Sequence, residues 1–161
     1  ALHAELVGSF VRIYEEAFDL TTLYPGVSTV LTELSAAGHR LAICTNKPLG
    51  PTRAVLHHFG LSALFPVVIG GDSLPQRKPD PAPLRAALQA LGPGKALFIG
   101  DSEVDAETAQ AAGVPLVLFS GGYRKTAAEA LGARVIFDDH AALPGLIDQL
   151  APGLQAARAG N

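Results

Sequence analysis

The stretch Ala96-Leu97-Phe98-Ile99-Gly100-Asp101-Ser102-Glu103-Val104-Asp105 passes in one step from an apolar run to a crowd of oxygen-bearing side chains. Its first five residues have the character of a buried β-strand. The residues after Asp101 carry a helix-start signature: Ser102 can satisfy free N–H groups of a first turn, and Glu103 and Asp105 oppose its dipole. A strand that hands over directly to a helix is the unit from which parallel sheets are built.

The same alternation continues in both directions. Upstream lie a strand over Leu41–Thr45, a helix from Pro51 to Phe59 ended by Gly60, a strand over Phe65–Gly70 and a helix over Pro81–Leu91. Downstream follow a helix over Val104–Ala112, a strand over Val114–Phe119, a last edge strand over Gly132–Phe137 and a helix over Ala141–Leu150. A helix carrying Val27, Val30, Leu31 and Leu34 precedes them, between Pro25 and Gly38. Leu2 to Phe18 shows the stripe of an amphipathic helix with no strand in front of it, and the tail from Pro152 reads as frayed. Apolar strands alternating with helices predict an open, doubly wound, Rossmann-like α/β fold whose parallel sheet is buried on both faces.

Composition sets the outer limits. At 161 residues, 48% apolar and 17% charged, the chain is expected to form one compact domain. Its formal charge of −3 excludes the broad basic face of a non-specific nucleic-acid binder. No run approaches the ~20 apolar residues of a membrane helix, and the first residues lack a signal-peptide pattern. With Cys44 as the sole cysteine, a cytoplasmic setting is expected. The chain contains no methionine, so it reads as a piece of a longer one.

In open parallel sheets ligands sit beyond the carboxyl ends of the strands. The first strand delivers Thr45-Asn46-Lys47-Pro48, a hydroxyl and an amide able to meet an anion, or a plain turn. The second leads to Arg77-Lys78-Pro79-Asp80-Pro81, a proline-flanked ammonium suited to a phosphoryl group, or a solvated basic loop. The third ends in Asp101, Glu103 and Asp105, a carboxylate group fit for Mg²⁺; helix capping accounts for Ser102 and Glu103 but less well for Asp101. Hydroxyl and amide, ammonium, then carboxylates form the parts needed to hold a phosphoryl group beside Mg²⁺.

With these residues in view, the chain resembles the haloacid-dehalogenase-like phosphohydrolases, and among them the phosphoglycolate phosphatase branch. The resemblance rests on Leu23-Tyr24-Pro25-Gly26-Val27, Thr45-Asn46-Lys47-Pro48, Gly70-Gly71-Asp72-Ser73-Leu74-Pro75, Arg77-Lys78-Pro79 and Gly100-Asp101-Ser102-Glu103-Val104-Asp105. It implies that Thr45 and Asn46 contact phosphate and that Lys78 stabilises the transferring group. It also implies that Asp101 binds Mg²⁺ and that Asp105 supports the metal site. The implied substrate is a small phosphorylated metabolite, and the partners to expect are a second copy of the chain or a complementing N-terminal segment.

One departure from the family is serious. Its first motif, Asp-x-Asp-Gly-Thr, which carries the aspartate nucleophile and a general acid/base, occurs nowhere here, and neither Asp19, Asp72 nor Asp138-Asp139 replaces it. The family places that strand between the Thr45 and Asp101 strands, so its absence would leave two unpaired edges inside the sheet. The resemblance divides the chain into a cap remnant at residues 1–20, a core at 21–150 and a flexible tail at 151–161. Sugar-phosphate mutases and pyrophosphatases of the same family share these loops. A non-catalytic phosphate- or metal-binding remnant and a receiver-like domain are the readings outside the enzyme class.

Other chemically capable residues are expected to be bland. His57 and His58 are neighbours on a helix and point apart. His3, His39 and His140 are expected at the surface, and Cys44 as a small buried apolar residue. Gly121-Gly122-Tyr123 reads as a pocket floor or as a plain turn.

Overall fold

A computed structural model describes residues 22–122 and 124–151; the expected helix over Leu2–Phe18, the tail from Pro152 and Tyr123 lie outside them. Helix α1 spans Val27–Ala36, strand β1 Ala42–Cys44, α2 Leu49–His58, β2 Val67–Ile69 and α3 Ala82–Leu91. Strand β3 spans Phe98–Gly100, α4 Glu103–Ala112, β4 Leu116–Phe119, β5 Val135–Phe137 and α5 Leu143–Leu150. All strand pairings are parallel, β1 with β2 and β4 between β3 and β5. The α/β architecture expected from the alternation is therefore present, with the last strand at an edge.

The central strand shows why the chain folds this way. Leu116 and Leu118 of β4 face one side and pack with Leu84, Phe98, Ala106 and Ala109; Val117 and Phe119 face the other and pack with Val30, Leu34, Phe137 and Leu143. A strand turns successive side chains to opposite faces, so an unbroken apolar run demands helices on both. Here α3 and α4 cover one face, and α1 and α5 the other. A third cluster, Leu56, Leu61 and Phe65, anchors α2 beside β1 and β2.

Two expectations need correction. Only β4 is buried along its whole length; β1 and β2 are half-buried, and Ile99 in β3 is 41% exposed. Among the described residues no hydrogen bond joins β1 to β3; the strands form a pair and a triplet, the gap expected from the absent Asp-x-Asp motif. β1 and β3 thus each have a side that no strand among the described residues covers. Short 3₁₀ turns at Ser62–Leu64, Ala128–Leu131 and His140–Ala142 also escape the periodicity, the last forming the start of the expected closing helix.

The second correction concerns His140, which is half-buried rather than a surface residue. Its ring lies 4.4 Å from that of Phe119 and 5.4 Å from those of both Tyr24 and Phe137. His39 is exposed, as expected, and so are His57 and His58. Burial lowers the pKa of His140, with the charge of Asp139 opposing the shift. A histidine whose folded pKa is depressed gives stability that is present above its unfolded pKa, about 6.5, and lost as pH falls through the folded value. Thermal melts should therefore show stability declining below about pH 6.5, and His140→Leu should flatten that part of the profile. In the core, Leu118→Ala at a fully buried site should cost about 2–5 kcal/mol in a urea titration.

Candidate active site

Three loops meet beyond the carboxyl ends of β1, β2 and β3, and hydrogen bonds lace them together. Main-chain Gly71 donates to the Lys47 carbonyl at 2.8 Å, and Leu49 donates to Asp72 Oδ1 at 2.7 Å. Gly71 is required there, because a Cβ on it would lie 2.1 Å from the Asn46 carbonyl oxygen. Asp72 is thus spent on the first turn of α2. Thr45 Oγ1 accepts from the Lys47 N–H at 3.1 Å.

Asn46 then reaches the next loop. Its Nδ2 donates to the Lys78 carbonyl at 2.9 Å and its Oδ1 accepts the Lys78 N–H at 3.0 Å, so the amide side chain holds the lysine main chain on both sides. Held in this way, Lys78 directs its Nζ to Asp105 Oδ1 at 2.6 Å and lies 5.5 Å above the Phe98 ring. Both partners of the ion pair are nearly buried, with side chains 11% and 8% exposed.

Asp105 is satisfied from two directions. Its Oδ2 accepts the main-chain N–H groups of Asp101 (3.0 Å) and Ser102 (3.3 Å) and the Ser102 hydroxyl (2.8 Å), while its own N–H donates back to Ser102 Oγ. This reciprocal pair is a capping box at the start of α4. Burial pushes the Asp105 pKa up, but Lys78, by charge and hydrogen bond, and these donors outweigh it and leave the value lowered. With both oxygens engaged, Asp105 is arranged to support Asp101 and Lys78 from behind.

Asp101 differs. Its pKa is raised by burial first, then by the charge of Asp105 and a side-chain hydrogen bond with it. Lys78 and Arg124 oppose that shift without cancelling it. An electron-rich carboxylate in want of a cation, at the lip of a sheet, fits a hard divalent ion such as Mg²⁺, which takes one or two carboxylates and fills its shell from water or substrate phosphate. No group of three His, Cys, Asp or Glu side chains that could hold a metal occurs among the described residues.

All five residues singled out from the sequence, Thr45, Asn46, Lys78, Asp101 and Asp105, thus lie in one connected cluster. Sequence reading gave Glu103 to helix capping, whereas its Oε1 also accepts the N–H groups of both Lys125 and Thr126 at 2.6 Å, and it missed Arg124, which binds the ends of β3 and β4. The bonds to Glu103, that from Thr126 foremost, lower its pKa to about 2. Cys44 is half-buried against the Phe98 cluster, and burial raises its thiol pKa, which suits an inert apolar role. A separate cleft of about 320 Å³ lies at the opposite ends of the strands, beside Val114, Pro115 and Arg134, away from these residues.

Known proteins give this geometry its setting. The haloacid dehalogenase-like hydrolase family matches residues 2–113, and the chain belongs to that family. It is 50% identical over 148 residues to a phosphoglycolate phosphatase of Cereibacter sphaeroides, covering 91% of this chain and 68% of that protein. A phosphoglycolate phosphatase of Rhodobacter capsulatus is 48% identical, with coverage of 92% and 66%. Among solved structures, one described as a predicted phosphoglycolate phosphatase from Haemophilus somnus superposes with a TM-score of 0.75 at 37% identity, over 79% of this chain and 58% of that one. CbbY from Rhodobacter sphaeroides, solved with phosphate, gives 0.72 at 29% identity, with coverage of 88% and 64%. These relatives place the chain in the enzyme class of phosphoric monoester hydrolases, and it spans about two thirds of the length of the Cereibacter and Rhodobacter proteins.

The raised pKa of Asp101 has a measurable cost. A carboxylate that binds its proton more tightly in the folded state than in the unfolded one adds stability when protonated and loses it as pH rises through the folded pKa. At pH 7 and without metal, Asp101→Asn should therefore raise the melting temperature of the chain, and the gain should vanish at low pH.

Proposed function

We propose that the protein carrying this chain is a Mg²⁺-dependent phosphatase of a small phosphate monoester, with 2-phosphoglycolate, cleaved to glycolate and phosphate, as its substrate. The observation that supports this most is the unbroken path Asn46–Lys78–Asp105–Asp101, which brings amide, ammonium and carboxylates from three strand ends to one place. In this reading the Thr45 hydroxyl and the Asn46 main-chain N–H receive phosphoryl oxygens, since the Asn46 side chain is occupied with Lys78. The Lys78 ammonium, aimed by Asp105, offsets negative charge that builds on the transferring group. Asp101 holds Mg²⁺, which when bound supplies positive charge beside the phosphoryl group.

The nucleophile is not among these residues. The sequence has no Asp-x-Asp, and among the described residues no strand pairs with the second edge of β1 or of β3. We propose that an N-terminal segment carrying the nucleophile completes the sheet there, and that residues 1–161 alone have no turnover. We further place the complete enzyme in the cytoplasm and leave a homo-oligomer as a form it can take; among the described residues no helix is long and apolar enough to cross a membrane.

The decisive assay compares this chain with the product of the full reading frame that contains it, following phosphate release from 2-phosphoglycolate with and without Mg²⁺. The full product should be active only with the metal, and Lys78→Ala in it should lower kcat by about 10²–10³-fold, the scale of losing a principal charge stabiliser. A full product that binds phosphate or metal without turnover would replace this reading by that of a non-catalytic binding domain.

A further inference from the structure

Arg124 follows β4 and projects its guanidinium onto main-chain oxygens. One of its terminal nitrogens donates to the Phe119 carbonyl at 3.0 Å and to the Asp101 carbonyl at 3.3 Å; the other donates to the Ser120 carbonyl at 2.7 Å. A guanidinium is planar, permanently charged and rich in donors, so it can fork across carbonyls that an ammonium could meet only one at a time. Those carbonyls stand where two neighbouring strands stop and their ladder can no longer satisfy them.

The loop that carries Arg124 is also held on its other flank. Glu103, at the first position of α4, accepts from Lys125 and Thr126, so the β4 loop is pinned to the β3–α4 turn by a cation on one side and a carboxylate on the other. Gly122, between Ser120 and the Arg124 that binds it, is pressed onto Asp101. A Cβ at Gly122 would lie 2.4 Å from the Asp101 carbonyl oxygen, 2.5 Å from its Cβ and 2.8 Å from its Cγ. A main chain so close to both backbone and side chain of Asp101 restricts where the carboxylate can swing.

We infer that Arg124 is a positioning residue: by clamping the ends of β3 and β4 it seats Gly122 against Asp101 and fixes the direction in which that carboxylate meets a divalent cation. This rests on the reading of Asp101 as the metal anchor. Arg124 touches neither substrate nor metal in this scheme; it acts through Asp101. A preorganised ligand binds its metal without first losing rotamer freedom, so the benefit falls on metal affinity.

The test uses the full-length protein as wild type, Arg124→Ala and Arg124→Lys, with Glu103→Ala to release the opposite pin. Mn²⁺ binding is measured by electron paramagnetic resonance in the absence of substrate, alongside the Mg²⁺ dependence of phosphate release and thermal melts. Arg124→Ala should weaken Mn²⁺ binding and raise the Mg²⁺ half-saturation together by about tenfold, while KM for 2-phosphoglycolate at saturating Mg²⁺ stays within about twofold, the pattern of an impaired metal ligand alone. Arg124→Lys and Glu103→Ala should show the same change in smaller measure, and they carry the test if Arg124→Ala does not fold. Unchanged Mn²⁺ affinity in folded variants, even with lowered melting temperatures, would make Arg124 a purely structural clamp and overturn the inference. Full recovery by Arg124→Lys would overturn it in favour of a simple charge effect. A wild-type protein that neither binds Mn²⁺ nor releases phosphate would instead sink the phosphatase reading beneath it, a failure visible before any variant is compared.

Discussion

The nearly buried ion pair of Lys78 and Asp105 is the contact through which the rest of the site is arranged. Two charges withdrawn from water gain little net stability from each other, but removing either one strands the other at a cost of about 3–5 kcal/mol. The pair therefore acts as a constraint more than a glue. On the Lys78 side it depends on Asn46, whose amide grips the lysine main chain; on the Asp105 side it depends on the box with Ser102 that starts α4. The helix start and the placement of the ammonium are thus one arrangement.

That economy leaves Asp101 as the exception. Its neighbour Asp105 is supplied with donors on both oxygens, whereas Asp101 is half-buried beside another carboxylate with its pKa pushed upward. A fold tuned for its own stability would pair or remove such a charge. Its retention at the lip of β3 is the sort of local cost that a ligand-binding site imposes on its scaffold.

The order of strands and helices was readable because β-period and helical-period patterns alternate cleanly and because Pro and Gly mark the joints, as at Gly38, Gly60 and Pro81. The identity of the site was readable for a related reason: an α/β sheet brings strand ends together, so Thr45, Lys78 and Asp101 could be collected without coordinates. What each side chain does there was less accessible. Nothing local to Asn46 says that its amide is taken by a main chain 32 residues away, nor does anything local to Glu103 say that it also binds Lys125 and Thr126. Arg124 was overlooked because its partners are main-chain carbonyls, which have no signature in sequence. The break between β1 and β3 was inferred from the absent motif, but the exposure of Ile99 and the ring contacts of His140 depend on which elements pack where, and tertiary packing overrides residue type.

The edges of β1 and β3 left unpaired among the described residues have a bearing on how this polypeptide behaves in a test tube. Each offers a row of main-chain donors and acceptors that no strand among the described residues takes up, and β3 adds the bare side chain of Ile99. Edges of this kind template pairing with whatever extended segment arrives, including another molecule's. A formal charge of −3 spread over 161 residues supplies little colloidal repulsion against it. Solubility of the isolated chain is therefore governed by concentration and by the lifetime of those open edges, and dilute, low-salt handling is what its architecture calls for.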